Sequence, residues 1–310
     1  MRAEASGLIN HISDFDSFHF DRHAELAKPM PEPRPKGLGG MDFPRHAGFY
    51  MHLWAFAYSK TGDAKFAHWI SKMIEHHWKA RDLKTGILPS NTRGSQAQTA
   101  TVESTLSLAV SLLESADRLS EGDLKQQCQR TGREYADAVL RLPHRPGEGK
   151  FLASFPVKNG PAEQPDYGEP YRYGYGGGFT ADNAALLLAL HRLTGNSAAL
   201  HLAEQFAEYY AKNDPPPAHE IVRAHVYASV IGLFADLYAL QRRPSHLQQA
   251  DRYARLAIER LFHHGLFRGA TSIDHYEGDL MVANLAYNLV WLHALKASSG
   301  LPVPPNYFNR

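Results

Sequence analysis

Apolar positions along the chain recur at helical spacing in blocks, and the blocks come in pairs. The spacing predicts helices over residues 45–59 and 64–79, 101–119 and 123–142, 181–193 and 198–212, 221–240 and 247–262, and a last one over 280–295. Leading and trailing members differ. The segment 45–59 is apolar nearly all round (Phe49, Tyr50, Met51, Leu53, Trp54, Phe56, Tyr58), the pattern of a helix buried on most sides. Its partner keeps one apolar stripe (Phe66, Trp69, Ile70, Met73, Ile74, Trp78), the pattern of an outer, amphipathic helix. The three tryptophans of this pair, Trp54, Trp69 and Trp78, are expected in the core.

The links alternate too. Within a pair they are tight and turn-like: Thr61-Gly62-Asp63, Ser120-Glu121-Gly122-Asp123, Thr194-Gly195-Asn196-Ser197 and Arg242-Arg243-Pro244-Ser245. Between pairs they are long and rich in aromatic, Gly, Pro and charged residues. If successive helices run antiparallel, all tight turns fall on one face and all long loops on the other, which is then free to carry a site. The predicted fold is all-α, a single (α/α)n toroid over residues 1–310 of paired inner and outer helices. Five inner segments are visible, so the ring is expected to be open or incomplete at its N-terminus. A bundle or α-solenoid is the rival. A short helix is expected over 1–14, an extended Pro- and Gly-rich loop over 28–44, and β-structure only in short loop segments near 151–157 and 266–269.

Composition narrows the picture. An apolar fraction of 44% supports a substantial core, and 33 basic against 32 acidic residues give no basic field for nucleic acid. One cysteine, Cys128, excludes an internal disulfide framework. No stretch is long and apolar enough to span a bilayer. The start, Met1-Arg2-Ala3-Glu4-Ala5, lacks the apolar core of a signal peptide. Taken as written the chain is expected in the cytoplasm, or secreted or periplasmic if its N-terminus is truncated.

The chemistry gathers where long loops lead into inner helices, whose N-termini carry unsatisfied N–H groups and a positive dipole end. These lead-ins hold Asp42 with Arg45 and His46, then Thr99, Thr101 and Glu103. Next come Arg172, Tyr173 and Tyr175 with Thr180 and Asp182, then His219, Glu220, Arg223 and His225, and last Asp274, His275, Tyr276 and Glu277. Aromatic faces with Arg, His and carboxylates suit a sugar chain, particularly an acidic one. Tyr173, Tyr175, Arg172, Arg223, His275 and Glu277 are the expected substrate contacts. His76-His77 and His263-His264 sit near outer-helix ends and read as surface or capping groups.

At Arg45-His46 the chain resembles the α/α-toroid carbohydrate-active enzymes, and among them the family 2 pectate lyases, whose active site holds an Arg followed directly by a His. The resemblance covers the helical layout and this dipeptide. It implies that Arg45 is the Brønsted base and that His46 is a ligand of a divalent metal, often manganese. That family's further upstream His and Glu have no assignable counterpart among His11, His19, His23, Glu4, Glu25 and Glu32. Such a lyase cleaves an acidic poly- or oligosaccharide by β-elimination, removing the proton α to the uronate carboxylate. Arg45 acts as base only with neighbouring cations to depress its pKa. Otherwise it clamps a carboxylate, and His225 or Tyr276 is the better base.

Two other functions fit the same rim. A glycoside hydrolase or sugar epimerase is the first. A hydrolase draws two carboxylates from Asp42, Glu103, Asp182, Glu220, Asp274 and Glu277. A non-catalytic sugar-binding or scaffold protein is the second.

Overall fold

The computed structural model describes residues 39–172, 179–273 and 282–298. Among them are four helical hairpins and a ninth helix. The pairs are α1 (Pro44–Thr61) with α2 (Ala64–Ala80), α3 (Val102–Arg118) with α4 (Asp123–Leu140), α5 (Thr180–Thr194) with α6 (Ser197–Lys212), and α7 (Ala224–Gln241) with α8 (Pro244–Leu261). The ninth is α9 (Val282–Ala297).

The tight turns are built by opposed capping signals. Gly62 ends α1 in the left-handed region at φ 65°, and Asp63 then caps α2 by accepting from the Lys65 amide. Gly195 and Asn196 repeat the device, with the Asn196 side chain accepting from Ala198 and Ala199. At the fourth turn Arg242 takes the left-handed position and Pro244 opens α8 at its first turn.

Each odd-numbered helix packs against the next odd-numbered one, α1 on α3, α3 on α5, α5 on α7 and α7 on α9. Each even-numbered helix packs on the outside of its own partner. This is the (α/α) toroid, with inner and outer layers as the apolar patterns predict. The core lies between the layers. Met51, Ile70, Leu112, Val139, Phe206, Phe234 and Tyr253 are all buried there. α3 and α7 are buried along nearly their whole length.

α1 departs from expectation. It packs on α2 and α3, and its remaining face leaves Phe49, Leu53 and Phe56 exposed at 43%, 61% and 44%. Trp54 is buried as expected, whereas Trp69 is exposed at 39%, with Lys72 over its ring. Trp78 is half-buried, between the Arg81 guanidinium and Tyr135. An amphipathic stripe wider than the partner helix leaves its edge residue in solvent.

The long loops carry the short strands. β1 (Thr99–Thr101) pairs antiparallel with β2 (Leu152–Pro156), and β2 with β3 (Asp166–Tyr167). A two-stranded hairpin, β4 (Phe262–His263) and β5 (Leu266–Phe267), follows α8. β2 and β5 fall within the expected segments. The three-stranded sheet ties the lead-in of α3 to the loop between α4 and α5. No described helix is long and apolar enough to cross a membrane.

Candidate functional site

Because the helices alternate in direction, the first turns of the inner helices share one rim, and the sequence puts reactive side chains in those turns. Arg45 is the second residue of α1, Glu103 the second of α3, Asp182 the third of α5 and His225 the second of α7. Each sits at the positive end of a helix dipole, which favours the two carboxylates.

Two groupings form between neighbouring inner helices. Between α1 and α3, Arg45 Nη1 lies 3.8 Å from Glu103 Oε1, with side-chain exposures of 26% and 6%. Between α5 and α7, His225 Nε2 lies 2.6 Å from Asp182 Oδ2, and the Ser229 hydroxyl donates to Asp182 Oδ1 at 2.5 Å. Ser229 is one turn beyond His225, so both donors reach one carboxylate from a single face of α7. Two donors, one on each oxygen, stabilise negative charge on Asp182. The His225 ring is buried and packs on Phe179, the residue before α5. These contacts leave Asp182 poised as a base or nucleophile, with a histidine able to carry a proton beside it.

Asp42 has a different task. Its buried carboxylate accepts from the Thr92 hydroxyl at 2.9 Å, lies 3.2 Å from His76 Nε2 and 3.3 Å from Arg93 Nε. It is a held anchor rather than a reactive acid. Glu220 is exposed in a turn before α7.

Of the expected site residues, Arg45 and His225 lie on the rim, each beside a carboxylate. Arg223 is the residue that caps α7, and its backbone bridges to Ala270. Arg172 is exposed. Tyr173, Tyr175, His275, Tyr276 and Glu277 lie outside the described residues. His46 sits between aromatic rings, 5.3 Å from Phe43 and 6.4 Å from Phe49 by ring centroids. Among the described residues no group of three His, Cys, Asp or Glu side chains is arranged to hold a metal. No step is routed through such an ion.

His264 is exposed as expected, but the other paired histidines correct the surface or capping reading. His77 is fully buried with Nε2 at 3.0 Å from the Met41 carbonyl oxygen, and His76 reaches Asp42 and Thr92. His263, at the β4–β5 hairpin, hydrogen-bonds Arg268 rather than capping α8. Ser229 and Thr92 are site-region residues that the sequence does not single out. Ser229 was reachable, since it lies four residues after His225 in a helix.

Paired helices in two layers around a rim of first-turn side chains place the chain among the α/α toroids. No protein-family model matches it, and no curated protein matches it in sequence. Solved structures share the fold. An inactive variant of a family 76 α-1,6-mannanase from Salegentibacter sp., in complex with α-1,6-mannotetrose, superposes with a TM-score of 0.57 at 12% identity, over 82% of this chain and 76% of that one. A D-mannose isomerase gives 0.58 at 12% identity, over 83% and 71%. A variant of an unsaturated glucuronyl hydrolase with the saccharide dGlcA-Glc-Rha-Glc gives 0.56 at 12% identity, over 87% and 78%. These proteins share this chain's architecture. The pectate-lyase resemblance draws no support from them.

Proposed function

We propose that this chain is a carbohydrate-active enzyme, and that it hydrolyses a glycosidic bond with Glu103 and Asp182 as its working carboxylates. The observation that carries this reading is their placement. Two acids occupy the first turns of adjacent inner helices, α3 and α5, on the rim where the long loops gather. Hydrolysis of a glycoside needs such a pair, one to protonate the leaving oxygen and one to act as base or nucleophile. Asp182, with its two donors, suits the second role, and Glu103 is the other carboxylate of the pair. Arg45 is placed to orient Glu103 and a substrate hydroxyl or carboxylate. Structures of the same fold in complex with oligosaccharides support a sugar chain as partner. The acidic, uronate-containing substrate stays a proposal resting on Arg45, Arg172 and Arg223.

The substrate is not carried over from the mannanases. In the inactive mannanase variants two consecutive aspartates are replaced, and this chain contains no Asp-Asp pair. Its two acids come from different helices.

One observation favours a second reading. The buried His225 held against Asp182 is a proton-transfer pair suited to a sugar epimerase or isomerase, and a D-mannose isomerase shares the fold. The β-elimination reading needs a base beside a bound uronate, and His225 is the best placed described group for it.

Product analysis on a panel of neutral and uronate-containing oligosaccharides decides among the three. Hydrolysis releases new reducing ends without ultraviolet absorbance. β-Elimination creates a conjugated double bond that absorbs. Isomerisation changes the sugar without shortening the chain. New reducing ends that disappear in Glu103→Gln and Asp182→Asn are the expected result, and full activity in both variants removes these acids from the chemistry.

A further inference from the structure

The C-terminal ends of the outer helices lie on the same face as the inner-helix N-termini, and at α2 this brings two consecutive histidines to the rim. His77 holds the carbonyl of Met41. His76 Nε2 lies 2.9 Å from Thr92 Oγ1 and 3.2 Å from Asp42 Oδ1. Thr92 gives its hydroxyl proton to the same Asp42 oxygen at 2.9 Å and its amide to the Asp42 carbonyl at 3.0 Å. With that proton committed, the hydrogen facing the pair is carried by His76 Nε2. Arg93 closes the cluster against the other Asp42 oxygen at 3.3 Å.

Each arm of this cluster leads to a rim residue. Asp42 is three positions before Arg45. Thr92 lies in the loop that runs on to β1, where Ser90 donates to Thr99 and Thr101 donates to Leu88 at 2.9 and 2.8 Å. β1 then passes directly into α3 and Glu103. The lead-ins of two inner helices thus meet at one carboxylate, gripped from an outer helix.

We propose that the Asp42–Thr92–His76 cluster is the clamp that sets Arg45 against Glu103, and that His76 is a positioning residue of the rim. His76 acts through Asp42 and Thr92, which hold the two lead-ins in register. Its service to catalysis rests on the functional reading above, whereas its hold on the rim does not.

The test is amide hydrogen exchange on the full chain, comparing the wild type with His76→Ala and His76→Gln. The reporters are the amides of Thr92 (bonded to Asp42), Thr101 (bonded to Leu88) and Ala47 (bonded to Phe43). His76→Ala is expected to accelerate all three about tenfold or more while amides of α6 and α8 keep their protection. His76→Gln, whose side-chain N–H replaces the imidazole donor, is expected to restore them. If His76→Ala does not fold, Thr92→Val opens the same cluster and is read on Thr101 and Ala47. Unchanged reporter exchange, loosening spread evenly through α6 and α8, or no rescue by Gln would overturn the clamp. On a substrate that the wild type turns over, kcat is expected to fall in His76→Ala with KM little changed and to recover in His76→Gln. Absence of any product from the wild type counts against the enzyme reading and leaves the exchange result standing.

Discussion

His144 is fixed in one neutral tautomer by its two ring partners. The Leu152 amide donates to its Nδ1 at 3.2 Å, so Nε2 carries the proton and donates to Val139 at 3.0 Å. A second proton would have to sit on Nδ1, facing the Leu152 N–H. Burial pushes its pKa down to about 4. His77 is depressed further, to about 3, by burial first and by His76 second, against the opposing pull of Met41 and Asp42. Both bases titrate lower folded than unfolded, so the unfolded chain takes up protons first as the pH falls below about 6.5. Stability is therefore expected to drop from pH 6.5 downward, by up to about 2 kcal/mol for each histidine by pH 5. Urea unfolding at pH 7.5 and pH 5 measures it, and equal midpoints at both values would refute the assignment. The rim makes its own residue-scale prediction. Glu103→Gln and Asp182→Asn are each expected to lower turnover about 10²–10⁴-fold with the fold intact, checked by initial rates beside circular dichroism.

Helix contacts are where small residues count. Gly48 of α1 faces Ser111 of α3 so closely that a Cβ there would lie 2.7 Å from its Oγ and 2.9 Å from its Cβ. Gly48→Ala is expected to push α1 off α3 and cost about 1–3 kcal/mol. Ser111→Gly added to it should recover much of the loss, and a thermal melt of the double variant reads this directly. The helices themselves were legible in the sequence because their signals are local. Gly62-Asp63 and Gly195-Asn196 each spell a C-terminal cap followed by an N-terminal cap, and the apolar period told inner from outer helices. The exposed stripe on α1 was not legible, because pattern reports hydrophobicity and only the neighbours decide what is covered. The same holds for His76 and His77. Their position near a helix end matched a surface cap, while Met41 and Asp42, which hold them, are more than thirty residues away in sequence. Asp182 and His225 fared better. Both stood out as lead-in residues, but joining them needed the knowledge that α5 and α7 are neighbours.

On the scale of the molecule, one face is closed by turns and the other collects the chemistry. Product analysis of Glu103→Gln and Asp182→Asn tests that division, since loss of new reducing ends in both, with the fold intact, ties the reaction to the rim. The same layering sets how the chain is assembled. Each outer helix packs on the inner helix directly before it, across a turn of a few residues, and each inner helix then docks on the next in order. Most contacts thus join stretches close in sequence, which keeps contact order low and favours quick folding. A nascent chain can complete one hairpin after another as it leaves the ribosome, with little left to arrange when synthesis ends.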